Sequence, residues 1–241
     1  MIITSSVYVN SGLTALTDPG VREGQYVDSI LFYIRSKAIR NIVVCDNSGF
    51  DYANNVKLRA EAKKYGKEIE FLSFAGDKDK VREKGKGYGE GEIMEYTFRT
   101  SRLLGKEENF FKVTGRVFVL NIDSIASRVA PGRACFQKVS MNPFSTRHKS
   151  KVDTRLYYCS HAFFERHLLD AYESVDDNGG RYLEHAYFER LVSDKARWKE
   201  FSVFPRYRGI SGSTGLSYSK PFLKWRVQKI IYAVKNFSFF K

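Results

Sequence analysis

Apolar and polar positions along this chain fall into blocks whose period changes. Ile2 to Val9 reads as a strand and is followed by a polar turn, Asn10-Ser11-Gly12 through Asp18-Pro19-Gly20. From Gln25 to Ala38 the period is helical: Tyr26, Ile30, Ile34 and Ala38 recur every fourth residue, with Val27 and Leu31 on the adjoining stripe. Ile42-Val43-Val44-Cys45 is a short buried strand ending in the turn Asp46-Asn47-Ser48-Gly49; Tyr52 to Tyr65 is a charged helix, and Ile69 to Phe74 is a third strand. Strands alternating with helices in this way predict an α/β fold with a mostly parallel sheet flanked by helices. The carboxylate closing the second strand stands where open α/β sheets bind ligands.

Residues 76–92 break the pattern. The stretch is charged and glycine-rich, so it reads as a surface loop, with Gly85, Gly87, Gly89 and Gly91 alternating ahead of a helix from Glu92 to Leu104. Its backbone amides could cradle phosphate or ribose hydroxyls, or it is a flexible linker; it carries no Gly-Lys-Ser/Thr and does not follow the first strand as a dinucleotide fingerprint does. Next comes Asn109 to Asn121, in which Lys112, Thr114, Gly115 and Arg116 sit between Phe110-Phe111 and the apolar strand Val117 to Leu120. An arginine buried without a partner is costly. Either something anionic lies beside Arg116 or an acid of the fold pairs with it.

Beyond Asn121-Ile122-Asp123-Ser124 the chain is basic and irregular to Lys151. Asp153-Thr154-Arg155 then leads into the strand-like Leu156-Tyr157-Tyr158-Cys159-Ser160, and His161 to Tyr172 reads as a helix. After the loop Val175 to Gly180, Arg181 opens a helix to about Leu191 with Glu184 near its start, where an acid is ordinarily a cap or dipole partner. Pro205 to Gly209 and Ser211 to Gly215 form a second basic, glycine- and hydroxyl-rich loop of a composition that suits oxyanions.

Composition narrows the class. With 241 residues and 43% hydrophobic content the chain can be one globular domain with a tail. The three cysteines, Cys45, Cys135 and Cys159, form no Cys-x-x-Cys pair, and the four histidines lack metal-binding spacing, which argues for a reducing compartment and against zinc. No signal peptide and no run long enough to span a bilayer are expected. The net charge of +13 calls for an anionic partner, and six Lys or Arg with no acid lie between Lys220 and Lys241. On a helical reading of that tail, Leu223, Val227, Ile230, Ile231 and Val234 share a face with Trp225 and Phe237 at its margins. Such a helix lies on an anionic membrane, or packs back onto the domain or onto a second subunit. A nucleic-acid-binding protein would also explain the charge, but no recognition-helix, zinc-finger or RNP-like pattern is present. Another nucleotide-dependent α/β transferase shares the strand–helix beginning, yet the early glycine-rich turn expected of one is missing.

Six pieces in order carry a family resemblance: Arg22-x-x-Gln25, Asp46-Asn47-Ser48, the glycine run at 85–91, Lys112-Val113-Thr114-Gly115-Arg116, Thr154-Arg155-Leu156-Tyr157 and Leu183-Glu184-His185. Over roughly residues 2–190 the chain resembles bacterial or viral GT-A glycosyltransferases of surface-polysaccharide assembly, from the group with a Lys-x-Thr-Gly-Arg strand in place of Asp-x-Asp.

The resemblance implies a GT-A, Rossmann-like single domain over 1–219, with a nucleotide-sugar half (1–123), an acceptor half (124–219) and a basic amphipathic tail (220–241). It implies transfer of a sugar from a nucleoside diphosphate sugar, a UDP-sugar being favoured, to a saccharide acceptor on a lipid carrier. Such an enzyme would make capsule or lipopolysaccharide in the cytoplasm, peripheral on the inner face of the membrane. Ser5, Ser6, Asp46 and Asn47 would hold base and ribose, with Gly87 and Gly89 beside them, and Arg22 would belong to the same donor-binding site. Lys112, Thr114, Gly115 and Arg116, joined by Arg206 or Arg208, would meet the diphosphate without metal. Asn121-x-Asp123 is the alternative, a degraded metal motif for Mn or Mg with Asp123 as ligand. For an inverting transfer Glu184 would be the base that deprotonates the acceptor and Asp153 the second candidate, whereas a retaining transfer would not require such a base.

Overall fold

Successive residues of the inner strands face opposite sides of the sheet, and both sides are covered. Ile2 packs with Val43, Phe110 and Tyr157 on one side; Ile3 packs with Val44, Phe111 and Leu156 on the other. Burial on two faces is why these strands read as continuous apolar runs and not as alternating ones. The computed structural model describes residues 1–9, 15–139, 150–210, 215–219, 225–228, 230 and 232.

The strands are β1 (Ile2–Ser5), β2 (Asn41–Asp46), β3 (Glu68–Ser73), β4 (Asn109–Thr114), β5 (Val117–Val119), β6 (Cys135–Phe136), β7 (Lys138–Val139), β8 (Lys151–Val152), β9 (Leu156–Ser160), β10 (Lys199–Glu200) and β11 (Tyr207–Gly209). Seven of them form one sheet in the order β10-β6-β9-β4-β1-β2-β3. β3, β2, β1 and β4 run parallel, β9 is antiparallel to β4 and β6, and β10 is parallel to β6. The helices are α1 (Pro19–Ile34), α2 (Val56–Lys64), α3 (Lys78–Lys84), α4 (Lys86–Thr100), α5 (Ile122–Ala126), α6 (His161–His167) and α7 (Leu183–Ser193). α1, α2 and α5 cover one face through Ile30, Leu58 and Ile125; α4, α6 and α7 cover the other through Met94, Phe164 and Tyr187. The fold is therefore the expected α/β class, a mostly parallel sheet between two helical layers in a single domain.

Several boundaries differ from the sequence pattern. α1 begins at Pro19, six residues before the expected start at Gln25, because the Asp18 side chain caps it by accepting from the Val21 N–H at 2.8 Å, with Pro19 suited to the first turn. Residues 76–92 are not a loop: they form α3 and the first two turns of α4, and Gly87, Gly89 and Gly91 are buried. A methyl on Gly91 would lie 2.0 Å from Cβ of Tyr172, so the glycines let α4 approach its neighbours closely. The expected helix over 161–172 is α6 followed by a 3₁₀ turn at Ala171–Ser174.

The predicted strand through Val117 to Leu120 is also separate from β4. β4 stays in the central sheet, the chain turns at Gly115–Arg116, and β5 pairs antiparallel with β11 in a second sheet. Most of the tail lies outside the described residues. Of the part described, 225–228 are helical, the Tyr232 hydroxyl donates to the Phe201 carbonyl at 2.5 Å with its ring against Phe204, and Val227 and Ile230 are exposed. No helix among the described residues is long and apolar enough to cross a membrane.

Candidate active site

A cleft of about 730 Å³ opens over the C-terminal ends of β1 and β4, between α1 on one side and the starts of α4 and α7 on the other. Among the described residues six cationic ones line it, Arg22, Lys78, Lys86, Arg116, Lys151 and Arg155, against three acids, Glu90, Asp177 and Glu184. A concave site with a surplus of fixed positive charge concentrates anions.

The corner between β4 and β5 forms the floor. Gly115 lies so close to β1 that an added Cβ would meet the Thr4 carbonyl oxygen at 2.3 Å and the Tyr26 ring at 2.4 Å; its N–H donates to that carbonyl at 2.9 Å. Arg116 follows with φ of 62°, a left-handed conformation that is strained for a residue with a side chain. Its guanidinium is buried, lies over Tyr26, and donates from Nη1 to Gln25 Oε1 at 3.1 Å, while Nε has no partner among the described residues. No carboxylate among the described residues pairs with it. Of the two readings open from the sequence, a paired structural arginine is the one the geometry does not show.

Lys112 behaves differently. Its ammonium contacts Glu90 and donates to Thr114 Oγ1 at 2.9 Å and to the Thr154 carbonyl at 2.8 Å. It is fully buried and does not line the cleft. Burial pulls this ammonium below its ordinary range, with Glu184 and Asp153 pulling back. Lys112 therefore ties β4 to α4 and offers nothing to a ligand. Thr114 lines the cleft and shares Glu90 with it.

On the β1–β2 side, Ser5 and Ser6 line the cleft but Asp46 does not. Both Asp46 oxygens are taken: Oδ2 accepts from Ser5 Oγ at 2.7 Å and Val7 N at 3.0 Å, Oδ1 from Ser48 N at 2.7 Å, Ser48 Oγ at 2.5 Å and Phe50 N at 3.2 Å. The carboxylate at the strand end organises two loops and is not available to a ribose. Arg22 lines the cleft with its donors on the Ser6, Val7 and Leu16 carbonyls, shaping the wall. Asn47 donates to the Gly89 carbonyl at 3.2 Å, and its Oδ1 is buried with no partner among the described residues. Gly87 and Gly89 line the cleft from within α4, as helix backbone and not as a phosphate-cradling loop.

Glu184 stands in the first turn of α7, half-buried in the cleft wall, with no hydrogen-bond or ion-pair partner among the described residues. It is not the cap of that helix; the Tyr182 N–H donates to His185 Nδ1 at 3.2 Å instead. Asp177, which the sequence pattern did not single out, is buried beside it and accepts from the Gly87 N–H at 3.0 Å. Burial pushes this carboxyl above its ordinary range; the Gly87 N–H and Lys86 oppose, and Glu184 adds to the rise.

The remaining candidates are elsewhere. Asp153 is buried, gripped by Arg155 through Oδ1 at 2.9 Å and Oδ2 at 2.6 Å, and does not line the cleft, so it is no base. Arg206 and Arg208 do not line it either: Arg206 lies over the Trp225 ring, Arg208 over Phe118. Asp123 Oδ1 accepts from Ser36 Oγ at 2.5 Å and from Ala38 N at 3.0 Å, and its partner in the motif, Asn121, holds the Phe204 and Arg206 backbone. Those residues do not fit a divalent cation, and the carboxylate that stands at the end of β4, Glu90, is taken by Lys112 and Thr114.

No family model and no curated protein matches the sequence. Among solved structures, the chain is similar to the nucleoside-diphosphate-sugar pyrophosphorylase from Vibrio cholerae RC9, with 9% identity, a TM-score of 0.45, and coverage of 83% of this chain and 91% of that one. A likeness of that size carries no activity across.

Proposed function

We propose that the chain is a glycosyltransferase that moves a sugar from a nucleoside diphosphate sugar, a UDP-sugar in the first instance, to a saccharide hydroxyl. The observation that carries the reading is Arg116, a buried guanidinium with no carboxylate partner among the described residues, held in a strained backbone conformation on the floor of a cationic cleft at the strand ends. Strain and an uncompensated buried cation persist where a ligand gives them a use. In this reading the nucleoside lies along Ser5, Ser6 and Asn47. The diphosphate lies at Arg116, whose charge does the work of a divalent cation. Glu184 takes the proton of the acceptor hydroxyl as its oxygen bonds to the anomeric carbon; the bond to the diphosphate breaks, and the nucleoside diphosphate leaves with the electron pair.

The acceptor would enter over the antiparallel half of the sheet, within residues 124–219. Val227 and Ile230, exposed beside Trp225 and Arg226, would seat the enzyme on an anionic membrane at its cytoplasmic face, where a lipid-linked surface glycan is within reach. Calorimetric titration with UDP, GDP, CDP and dTDP, each with manganese and with chelator, tests the reading. One nucleotide binding at micromolar Kd in both conditions is expected; binding of none overturns it, and binding only with manganese overturns the role given to Arg116. Val227→Asp with Ile230→Asp should abolish sedimentation with phosphatidylglycerol vesicles and leave nucleotide binding unchanged.

A further inference from the structure

Arg155 is built like a clamped tool. Its carbonyl accepts from Thr114 N at 3.0 Å, which places it beside the end of β4, one strand over from β1. Nε and Nη2 are forked onto Asp153 at 2.6–3.2 Å, and Cζ lies 4.2 Å from the Tyr207 ring centre and 4.8 Å from that of Tyr218. Two nitrogens and two ring contacts thus fix the guanidinium. Nη1 has no hydrogen-bond partner among the described residues, and the side chain keeps 30% exposure in the cleft wall.

An arginine that only neutralised Asp153 would not need an open edge on a cationic cleft. Burial lowers the proton affinity of the guanidinium, but the Asp153 charge and hydrogen bonds outweigh it, so it stays charged at every accessible pH. A pre-oriented fork has already lost the rotamer freedom that a surface arginine loses on binding phosphate. Lys112, Arg206 and Arg208, the cations the sequence offered as helpers of Arg116, are all engaged away from the cleft. Arg155 is the helper that the fold brings to the β4 end.

We propose that Arg155 is the second diphosphate ligand, gripping phosphoryl oxygens from the β9 side while Arg116 grips them from the β4–β5 corner. The inference rests on the nucleotide-sugar reading above and names a residue it does not need. UDP and UMP are titrated into the wild type, Arg155→Lys, and the double variant Asp153→Asn with Arg155→Met, which removes both charges of the buried pair together; thermal melting confirms that each is folded. Loss of the open edge should weaken UDP by roughly tenfold to a hundredfold and UMP by no more than about twofold. If the wild type prefers UDP over UMP and both variants keep the full preference, Arg155 is only a strut for β11 and the assignment falls alone. If the wild type binds no nucleoside diphosphate, the glycosyltransferase reading and the assignment fall together.

Discussion

Arg116 separates a structural arginine from a ligand-binding one by arithmetic. Replacing it with Ala forfeits a cation–π contact at 5.4 Å to Tyr26, about 0.5–1 kcal/mol, and a hydrogen bond at 3.1 Å to Gln25, about 1 kcal/mol. It strands no carboxylate among the described residues, and it removes the desolvation cost of a buried guanidinium, which acts in the opposite sense. The net change in stability should therefore stay within about 1 kcal/mol. Binding is another matter. Two charge-assisted hydrogen bonds to phosphate contribute roughly 1.5–3 kcal/mol each, so UDP affinity should fall by about a hundredfold or more.

The backbone supplies an internal control. At φ of 62° Gly is relaxed and Ala is not, so Arg116→Gly should be the more stable variant by about 1 kcal/mol, or roughly 2–4 °C in Tm for a chain of this size. Both should lose UDP equally. Thermal melts and calorimetric titration of the two variants read both numbers. A loss of more than about 3 kcal/mol in Arg116→Ala would make the residue a structural hub of the kind a buried ion pair forms, and unchanged UDP affinity in either variant would remove its ligand role.

Three further outcomes follow from local geometry. Gly91→Ala places a methyl 2.0 Å from Tyr172 and should destabilise the fold by roughly 1–3 kcal/mol, whereas Gly24→Ala in α1, with nothing within 4 Å, should stabilise it by about 0.5–1 kcal/mol; urea unfolding compares them. Lys112→Met leaves Glu90 facing an apolar chain and should cost roughly 3 kcal/mol, most of it recovered when Glu90→Gln is added; equal stability of the single and double variants would mean the pair is not coupled. Asp153 is held below the usual carboxylate range because the Arg155 charge and hydrogen bonds outweigh its burial. Its stabilising contribution is complete above about pH 4 and is lost as pH falls through the lower folded value, so Asp153→Asn should show a flatter loss of stability between pH 6 and 2 than the wild type.

What the chain alone determined is what depends on near neighbours. The apolar runs of β1, β2 and β3 and the stripe of α1 repeat over a few residues, and a strand or helix follows from that repeat wherever the partner lies. The same locality made Arg116 stand out, since Lys-x-Thr-Gly-Arg inside an apolar run is anomalous on its face, and Glu184 as an acid opening a helix. Tertiary structure decided the rest. Residues 76–92 read as a loop because each glycine lowers helix propensity by about 1 kcal/mol, and only the packing of Gly91 on Tyr172 and of Gly89 on Asn47 and Val81 shows why a helix needs them there. Which cations face the cleft was likewise hidden. Lys112 is absorbed by Glu90, 22 residues earlier in the chain, and Arg208 is directed onto Phe118 by the pairing of β11 with β5. Asp46 points both oxygens at its own loops, and Arg155 reaches the β4 end only because β9 runs back beside it. A side chain's type is local, but whether its charge is free or compensated depends on which distant residue the fold brings within hydrogen-bonding distance.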